Sequence, residues 1–316
     1  MARFIISILI LLLSFYWFPF NADKDAFGAE DEAGRFIRPS ILAGTWYPGS
    51  PKILKRTVDA YLNQAKVPPL KGHLKAIIVP HAGYRYSGQV AAYAYRLLRG
   101  RSFKRVILVG PSHRVPFPGI SVNLQAGYRT PLGVVPVDRA TAEAILHTDS
   151  RIHWYKDVHA VEHSLEIQLP FLQSVLTNFS IVPILMGQQD FETCALLARV
   201  LAQIVRSSDS TLLIASSDLS HFHSYAEAKK LDKRFIHFVE AMDPKGLYKA
   251  LGRGECEACG GGPVIAVLLA CKRLGATRCA ALYYANSGDV TGEKDRVVGY
   301  MAGAVFTSSD KDPHPK

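Results

Sequence analysis

Three short apolar segments of this chain end in the same way, at a polar motif that contains a histidine. The segments and their motifs are residues 76–79 before His81, residues 106–110 before His113, and residues 211–215 before Asp218 and His221. Continuous apolar, β-branched runs bounded by Pro and Gly are typical of buried strands, although a buried helix can have the same composition. This repeated pattern is the strongest constraint that the sequence places on the fold.

The spacing of the first two segments predicts a strand–helix–strand unit. Residues 88–99 lie between them and carry alanine, leucine and tyrosine at helical spacing. A right-handed crossover makes the two strands parallel, and open α/β sheets bind their ligands at the carboxyl ends of such strands. We therefore expect His81 and His113 to share one crevice, with Asp218 and His221 delivered to the same edge of the sheet.

The rest of the chain continues the alternation of strands and helices. Further strands are predicted at residues 120–124, 134–137, 181–186, 280–285 and 297–306, and helices at residues 51–64, 139–147, 190–206, 226–241 and 259–270. With 316 residues, 48% of them hydrophobic and 20% charged, the chain can bury a large core. We predict a single three-layer α/β domain around a central mixed, mainly parallel sheet.

The amino-terminal segment differs from the rest in composition. Arg3 precedes residues 4–20, which carry no charge and end in aromatic residues. This layout is typical of a secretory signal, and its length also suits an uncleaved membrane anchor. The predicted divisions are residues 1–22 as signal peptide or anchor, 23–37 as linker, 38–307 as the α/β domain and 308–316 as a flexible tail. The protein is then exported or anchored, with membrane contact only through this segment, or cytoplasmic if the segment is not a signal.

Charge and cysteine content exclude two other classes of protein. The formal net charge is +10, but lysine and arginine are scattered rather than clustered with aromatic residues, so nucleic-acid binding is not predicted. Five cysteines are too few for a disulfide scaffold, and their odd number leaves one thiol free. Cys256 and Cys259 have Cys-x-x-Cys spacing, but no second pair completes a structural zinc site. In an exported domain this pair could be oxidised, which would conflict with a ligand role.

Residues 157–171 are unusually polar for a segment with apolar anchors. On a helix His159, Glu162, His163 and Glu166 would have the spacing i, i+3, i+4 and i+7 and would line one face. A salt-bridged surface face is one interpretation. The neighbouring leucine, proline and phenylalanine favour the other, in which the polar face points into a site. His159 and His163 have zinc-binding spacing, but the glutamate of the metalloprotease motif is missing.

Several of these residues could form one metal centre. Two histidines with one anionic ligand are the usual arrangement for non-haem iron(II), and a thiolate makes copper or zinc possible. Cys259 precedes a glycine-rich helix start, which predicts a lowered thiol pKa. His221, oriented by Asp218, could act as a general base. A pocket is predicted from Trp46, Tyr47, Tyr84, Glu162 and His163, although the first two could instead cap the core.

Two other functions use the same residues. A hydrolase could use Cys259 or Ser87 with a histidine, but no Gly-x-Ser-x-Gly elbow is present. A binding protein could keep the pocket without turnover.

A set of motifs resembles the Memo family, whose prokaryotic members are called AmmeMemoRadiSam system protein B. The motifs, in order between residues 38 and 306, are Gly44-Thr45-Trp46-Tyr47-Pro48, Pro80-His81-Ala82-Gly83-Tyr84, Gly110-Pro111-Ser112-His113, Glu162-His163-Ser164-Leu165-Glu166, Ser216-Ser217-Asp218-Leu219-Ser220-His221 and Val298-Gly299-Tyr300. The resemblance implies a fold like that of the class III extradiol ring-cleaving dioxygenases. It also implies a metal held by His81, His113 and Cys259, with His221 as catalytic base beside Asp218.

The resemblance also sets the expected cofactor and partners. We expect iron(II) first, with copper and then zinc as alternatives, and an unknown small molecule or peptide as ligand. Cys259 stands where the dioxygenases have a carboxylate, which favours a redox or metal-binding role over ring cleavage. Memo proteins have also been regarded as phosphopeptide-binding adaptors. The system name implies a link to a radical S-adenosylmethionine enzyme and a further partner.

Overall fold

The computed structural model describes residues 36–206 and 210–308, which form twelve strands, ten α-helices and one 3₁₀ turn. The strands are β1 Ile37–Arg38, β2 Gly72–Val79, β3 Arg105–Pro111, β4 Ile120–Val122, β5 Gly127–Thr130, β6 Gly133–Pro136, β7 Ile152–His153, β8 Ser180–Met186, β9 Thr211–Ser216, β10 His221–His223, β11 Arg278–Asn286 and β12 Val297–Ser308. The helices are α1 Pro51–Gln64, α2 Tyr84–Arg96, α3 Arg139–Leu146, α4 Lys156–Val161, α5 Leu169–Val175, α6 Phe191–Arg206, α7 Tyr225–Glu240, α8 Pro244–Gly252, α9 Gly261–Arg273 and α10 Ser287–Thr291, with the 3₁₀ turn at Glu166–Gln168.

Nine strands form one mixed sheet. Their order is β10-β12-β2-β9-β3-β8-β4-β7, and β11 pairs with β12 outside this path. The four central strands, β2, β9, β3 and β8, are parallel to one another, while β12 and β4 add antiparallel neighbours on either side. The predicted α/β fold with a central mixed sheet is confirmed, although parallel and antiparallel strand pairs are equal in number, four of each, rather than mainly parallel.

The central strands are almost entirely buried, because helices cover the sheet. One helix group consists of α1, α2 and α5, in which α2 packs on β2, β11 and β12; another contains α6, α8 and α9, in which α9 packs on β2, β3 and β9. A parallel sheet covered on both faces requires apolar residues at consecutive positions rather than alternate ones. This requirement explains the continuous apolar runs that made these strands recognisable in the sequence.

The third histidine-bearing strand lies between the first two. β9 pairs in parallel with β2 on one side and with β3 on the other, and Ser216 at its end is opposite Val79. The three polar motifs therefore leave the sheet at adjacent positions on one edge. The sequence predicted the shared edge but not this strand order.

Residues 157–171 do not form one continuous helix, which is the conformation for which their spacing was considered in the sequence. Helix α4 ends at Val161, Glu162 is extended with φ −88° and ψ 135°, and a 3₁₀ turn precedes α5. His159, Glu162, His163 and Glu166 therefore do not line one helix face. The physical reason is that the Glu162 carboxylate accepts hydrogen bonds from the backbone N–H groups of His163 and Ser164, which a continuing helix would use itself.

The predicted signal or anchor, most of the linker and nearly all of the flexible tail lie outside the described residues, and the domain boundaries stay predictions. Within residues 36–206 and 210–308, no helix combines the length and the hydrophobicity needed to cross a bilayer. A small second sheet, in the order β1-β5-β6, was not predicted as such.

Candidate metal centre

His81 follows β2 and is fixed by two hydrogen bonds on different atoms. Its backbone N–H donates to Asp218 Oδ1 at 2.7 Å, and its ring Nδ1 lies 2.9 Å from Ser216 Oγ. The side chain is buried, with 1% of the residue exposed. Burial lowers the pKa of His81, and the nearby rings of His163, His113 and His221 lower it further. The imidazole is therefore neutral, as a metal ligand must be.

His113 follows β3 and is held by the carboxylate of Glu162. Glu162 accepts from the backbone N–H of His113 at 2.6 Å and lies 3.0 Å from its ring Nδ1. Burial alone would raise the pKa of Glu162, but the hydrogen bonds from His113 and the neighbouring His163 ring lower it to about 2. An ionised carboxylate can only accept, so His113 Nδ1 donates, and Nε2 is the ring nitrogen left to face a metal ion.

Three histidine rings converge at this edge of the sheet. The centroids of His81 and His113 are 5.0 Å apart, those of His81 and His163 are 5.3 Å apart, and those of His113 and His163 are 4.5 Å apart. One nitrogen from each ring lies within 4.8 Å of the other two. Two bonds of about 2.1 Å to a common ion span at most about 4.2 Å, so small side-chain adjustments would allow coordination. The sequence had placed His163 in the pocket rather than among the ligands.

A buried nitrogen in this cluster supports the fit to a metal ion. His163 Nδ1 is buried and forms no hydrogen bond with any residue that the structure describes, although it lies 3.2 Å from Glu162 Oε1. Burial lowers the pKa of His163 to about 4, so the ring is neutral at physiological pH. Neutral imidazoles with available lone pairs suit zinc, copper, iron and nickel ions. The donor set therefore fits a transition metal.

Cys259 lies beside His81 and outside the tight histidine cluster. Its Sγ is 3.1 Å from His81 Nε2, and its backbone N–H donates to the Asp218 carbonyl at 3.3 Å. Of the three ligands implied by the family resemblance, His81 and His113 lie in the cluster, while Cys259 contacts His81 only and its ligand role stays a prediction. Burial raises the pKa of the Cys259 thiol, and the charge of Asp218 raises it further. The predicted lowering of this pKa is wrong, because these effects outweigh the hydrogen bonds from Ser217 and the Gly260 N–H group.

Asp218 and His221 both line the cavity but are not hydrogen-bonded to each other. Asp218 accepts from the backbone N–H of His81, and burial raises the pKa of Asp218 to about 7. Burial lowers the pKa of His221, while a hydrogen bond to the Leu219 backbone acts in the opposite direction. The expectation that Asp218 orients His221 is therefore not met, because the carboxylate is directed at the start of the His81 motif.

The cluster opens into a cavity of about 550 Å³. The lining residues are Thr45, Trp46, His81, Ala82, Gly83, Arg85, Tyr86, His113, His163, Asp218, His221, Val298 and Tyr300. Trp46 packs against His163 with ring centroids 4.6 Å apart. The volume and the mixture of aromatic, basic and imidazole groups suit a small organic ligand or a peptide side chain.

Tyr47, Tyr84 and Glu162, predicted as pocket residues, lie behind this lining. Tyr47 donates to Glu166 Oε1 at 2.7 Å, and Tyr84 donates to the Ile167 carbonyl at 2.9 Å. Both tyrosines are 3% exposed. Their hydroxyl groups satisfy buried acceptors, so they support the wall of the cavity rather than face a ligand.

A buried ion pair, which the sequence did not predict, holds the loop that carries Trp46. Arg38 Nη1 donates to Glu166 Oε2 at 2.5 Å, and both side chains are fully buried. Glu166 also accepts from the hydroxyl of Ser40 and from the backbone N–H groups of Ile41 and Leu42. These bonds anchor the loop of residues 40–47 against the 3₁₀ turn, which places Trp46 over His163.

The contacts of the described residues do not support Ser87 as the nucleophile of a hydrolase. Ser87 Oγ is buried and donates to the Ala82 carbonyl at 2.8 Å rather than to a histidine. Cys259 has His81 within reach, but its raised pKa is the opposite of an activated thiol. All five cysteines, including Cys256, are free thiols.

Comparisons with known proteins agree with the motifs. Residues 38–304 match the profile of the Memo-like protein family. A MEMO1 family protein of Methanothermobacter thermautotrophicus is 38% identical over 272 residues, covering 84% of this chain and 98% of that protein. One from Methanosarcina barkeri is 37% identical over 268 residues, covering 84% and 98%. One from Methanocaldococcus jannaschii is 36% identical over 284 residues, covering 85% and 99%.

A solved structure is more distantly similar. An uncharacterized protein from Escherichia coli K12 aligns with a TM-score of 0.49 and 14% identity, covering 73% of this chain and 99% of that chain. This similarity is too weak to support a conclusion about fold or function.

Proposed function

Because the chain belongs to the Memo family, we propose that it is a metal-dependent redox protein whose centre is formed by His81, His113 and His163, with Cys259 beside them. Iron(II) is the metal that we propose first, and copper is the alternative. The convergence of three imidazoles on one point is the observation that carries the proposal, together with one buried nitrogen for which the described residues supply no hydrogen-bond partner.

The donor set favours these metals on chemical grounds. Imidazole ligands suit iron, copper and zinc, and an adjacent sulfur shifts the preference towards copper or zinc. The ion would supply one-electron redox chemistry or polarise a bound ligand. Glu162 keeps His113 in the tautomer that presents Nε2, and the Asp218 carboxylate fixes the backbone at His81. These contacts pre-orient the nitrogen donors, so little side-chain entropy is lost when an ion binds.

Proton transfer in the cavity is assigned to His221 and Asp218. His221 is neutral at physiological pH because its pKa is lowered by burial, so a ring nitrogen can accept a proton from a bound ligand. Asp218 has a pKa of about 7, which allows it to hold or release a proton near neutral pH. Trp46 and Tyr300 narrow the cavity and exclude part of the bulk water. We propose a small organic molecule as the ligand.

A second candidate function is binding without turnover. Arg85 and Tyr86 are exposed at the cavity mouth, where they could contact a peptide or small ligand that is larger than the cavity. An oxygen-uptake screen on the metal-loaded protein separates the two candidates, since a binding module consumes no oxygen with any ligand.

Elemental analysis of the anaerobically purified full chain tests the proposal. We expect about one iron or copper ion per chain, and a clearly lower metal content in His81→Ala, His113→Ala and His163→Ala, because each variant loses a coordination bond. The exposed His147→Ala variant is the matched control and should keep its metal. Unchanged metal content in all three site variants would contradict the proposal.

A further inference from the structure

Ser216 is a buried hydroxyl group at the end of β9 with three hydrogen-bond partners. Its Oγ lies 2.9 Å from His81 Nδ1, 2.8 Å from the Ser164 carbonyl and 3.0 Å from Gln168 Nε2. Only 1% of Ser216 is exposed. A hydroxyl group has one hydrogen to donate, so the roles of these three partners can be assigned by counting donors and acceptors.

The orientation of Gln168 follows from its neighbours. Tyr95, which is fully buried, donates its hydroxyl hydrogen to Gln168 Oε1 at 2.8 Å. On the other side Gln168 Nε2 lies 3.0 Å from the Pro80 carbonyl and 3.4 Å from the Ser164 carbonyl. A flipped amide would direct its oxygen at these two carbonyls, which can only accept. Gln168 therefore donates to Ser216 Oγ.

The single hydrogen of Ser216 is assigned in the same way. The Ser164 carbonyl can only accept, and its other contact is the 3.4 Å approach of Gln168. If the Ser216 hydroxyl turned to His81 instead, this buried carbonyl would lose its good hydrogen bond, at a cost of about 1–3 kcal/mol. Ser216 thus donates to Ser164, and towards His81 Nδ1 it can only accept.

We propose that Ser216, oriented by Gln168, holds His81 in the Nδ1–H tautomer and so presents the Nε2 lone pair to the three-histidine cluster. The opposite tautomer would place a hydrogen on Nε2, which faces Cys259 Sγ at 3.1 Å, and would leave Nδ1 against an oxygen without a hydrogen. Ser216 is a positioning residue, since it acts through His81. The metal-related part of this inference rests on the proposed function, while the tautomer assignment does not.

Nitrogen-15 NMR of the histidine side chains in the metal-free full chain tests the assignment directly. We expect His81 to show a protonated Nδ1 and an unprotonated Nε2 at neutral pH. A wild-type spectrum with the proton on Nε2 overturns the inference without any variant. This readout is specific, because a serine that only stabilised the fold would not determine which nitrogen carries the proton.

Two variants of Ser216 then test its role. Ser216→Ala should give a mixture of tautomers or the Nε2–H form, and should weaken Zn²⁺ binding about 10- to 100-fold, as expected for loss of an outer-sphere partner. Ser216→Thr keeps the hydroxyl group and should restore the Nδ1–H form. Thr211→Val is the matched control, since it removes a buried hydroxyl, at the other end of β9, for which the described part of the chain supplies no hydrogen-bond partner.

The outcomes separate the two proposals. A Ser216→Ala protein with the wild-type tautomer and Zn²⁺ affinity overturns the role of Ser216, and so does an equal loss in Thr211→Val. If the tautomer changes as expected but no form binds metal, the tautomer assignment stands and the proposed metal function fails. Thermal melting shows whether each variant is folded, and if Ser216→Ala is not, the nitrogen-15 spectrum of the wild-type protein alone decides whether the tautomer assignment holds.

Discussion

Substitution of Glu166 should lower the free energy of unfolding more than that of any other single side chain, because its charge is paired and fully buried. Its carboxylate accepts from Arg38, Tyr47 and Ser40, and from two backbone N–H groups. A buried ion pair contributes less than its Coulomb attraction suggests, because both charges lose their water. Breaking one is different, since the remaining charge stays buried without a partner.

Glu166→Gln should therefore destabilise the protein by about 3–5 kcal/mol, measured as the free energy of unfolding in urea. The amide –NH2 group of the new side chain would also face groups that donate to Glu166 in the wild type, such as the backbone N–H groups of Ile41 and Leu42. Asp59→Asn is the control, because the Lys55–Asp59 pair has side chains 49% and 37% exposed, and an exposed pair of this kind contributes about 0–1 kcal/mol. Similar losses in the two variants would show that burial does not determine the contribution of the pair.

His159 should make stability depend on pH. Its ring is buried between Ser121 and Tyr128, and burial, with the charge of Arg38, lowers its pKa to about 3. The unfolded chain takes up a proton at about pH 6.5, whereas the folded chain does not until about pH 3, so stability is full above pH 6.5 and falls as the pH drops through this window.

The quantity to compare is the pH dependence of the free energy of unfolding in the wild type and in His159→Gln. From pH 7 to pH 5 the wild-type free energy of unfolding should fall by about 2 kcal/mol more than that of the variant. The comparison removes the contribution of His81 and His163, whose pKa values are also lowered. The exposed His147→Gln variant should follow the wild type. If the His159→Gln curve is parallel to that of the wild type, His159 titrates alike in the folded and unfolded chains.

At the scale of elements, the position of Cys259 depends on a glutamine from another segment. Gln189, which follows β8, donates through Nε2 to the Cys259 carbonyl at 2.9 Å and accepts through Oε1 from the Gly262 N–H at 2.7 Å. The side chain thus bridges the two ends of the loop that leads into α9. Ser217 adds a third contact by accepting from the Gly260 N–H at 3.0 Å.

Gln189→Ala should release this loop and expose the thiol. We expect Cys259 to react several times faster with an aromatic disulfide reagent, since the other four cysteines are buried and Cys259 is only partly so. Gln203→Ala, on the exposed face of α6, is the control and should react at the wild-type rate. An unchanged rate in Gln189→Ala would mean that the contacts to Ser217 and Asp218 suffice to hold the loop.

The order of strands and helices explains which site residues could be located from the sequence. His81, His113 and His221 follow apolar strands within a few residues, so their common edge could be deduced from local pattern. The pocket position of His163 was predicted, but its place beside the other two histidines was not, because that depends on a bend at Glu162, whose carboxylate binds the backbone N–H of His113 in a distant segment. Ser216 is part of a family motif, but its contact with His81 could not be read from it, and nothing in the local sequence of Gln168 and Gln189 distinguishes them from ordinary buried polar residues.

For the whole molecule, a bound ion would link segments that are far apart in the chain. His81 follows β2, His113 follows β3 and His163 lies between α4 and α5. A ligand that binds only the folded state stabilises it by about 4 kcal/mol when its free concentration is about a thousand times Kd. A metal that joins three segments should therefore affect global unfolding and not only the site.

Adding Zn²⁺ to chelator-treated protein should raise the Tm by several degrees, and the effect should be absent in His81→Ala. Each kcal/mol corresponds to about 2–4 °C for a protein of this size. The readout is calorimetry at fixed protein concentration, with Mg²⁺ as the control ion, since its preference for oxygen ligands makes it a poor match for imidazoles. An equal rise in His81→Ala would show that the ion binds elsewhere.

Anomalous diffraction at the absorption edge of the metal, from crystals of the anaerobically purified protein, tests the central claim most directly. The account predicts one strong peak about 2.0–2.3 Å from a ring nitrogen of each of His81, His113 and His163. A metal peak that lies at another position and contacts none of these three rings would contradict the account.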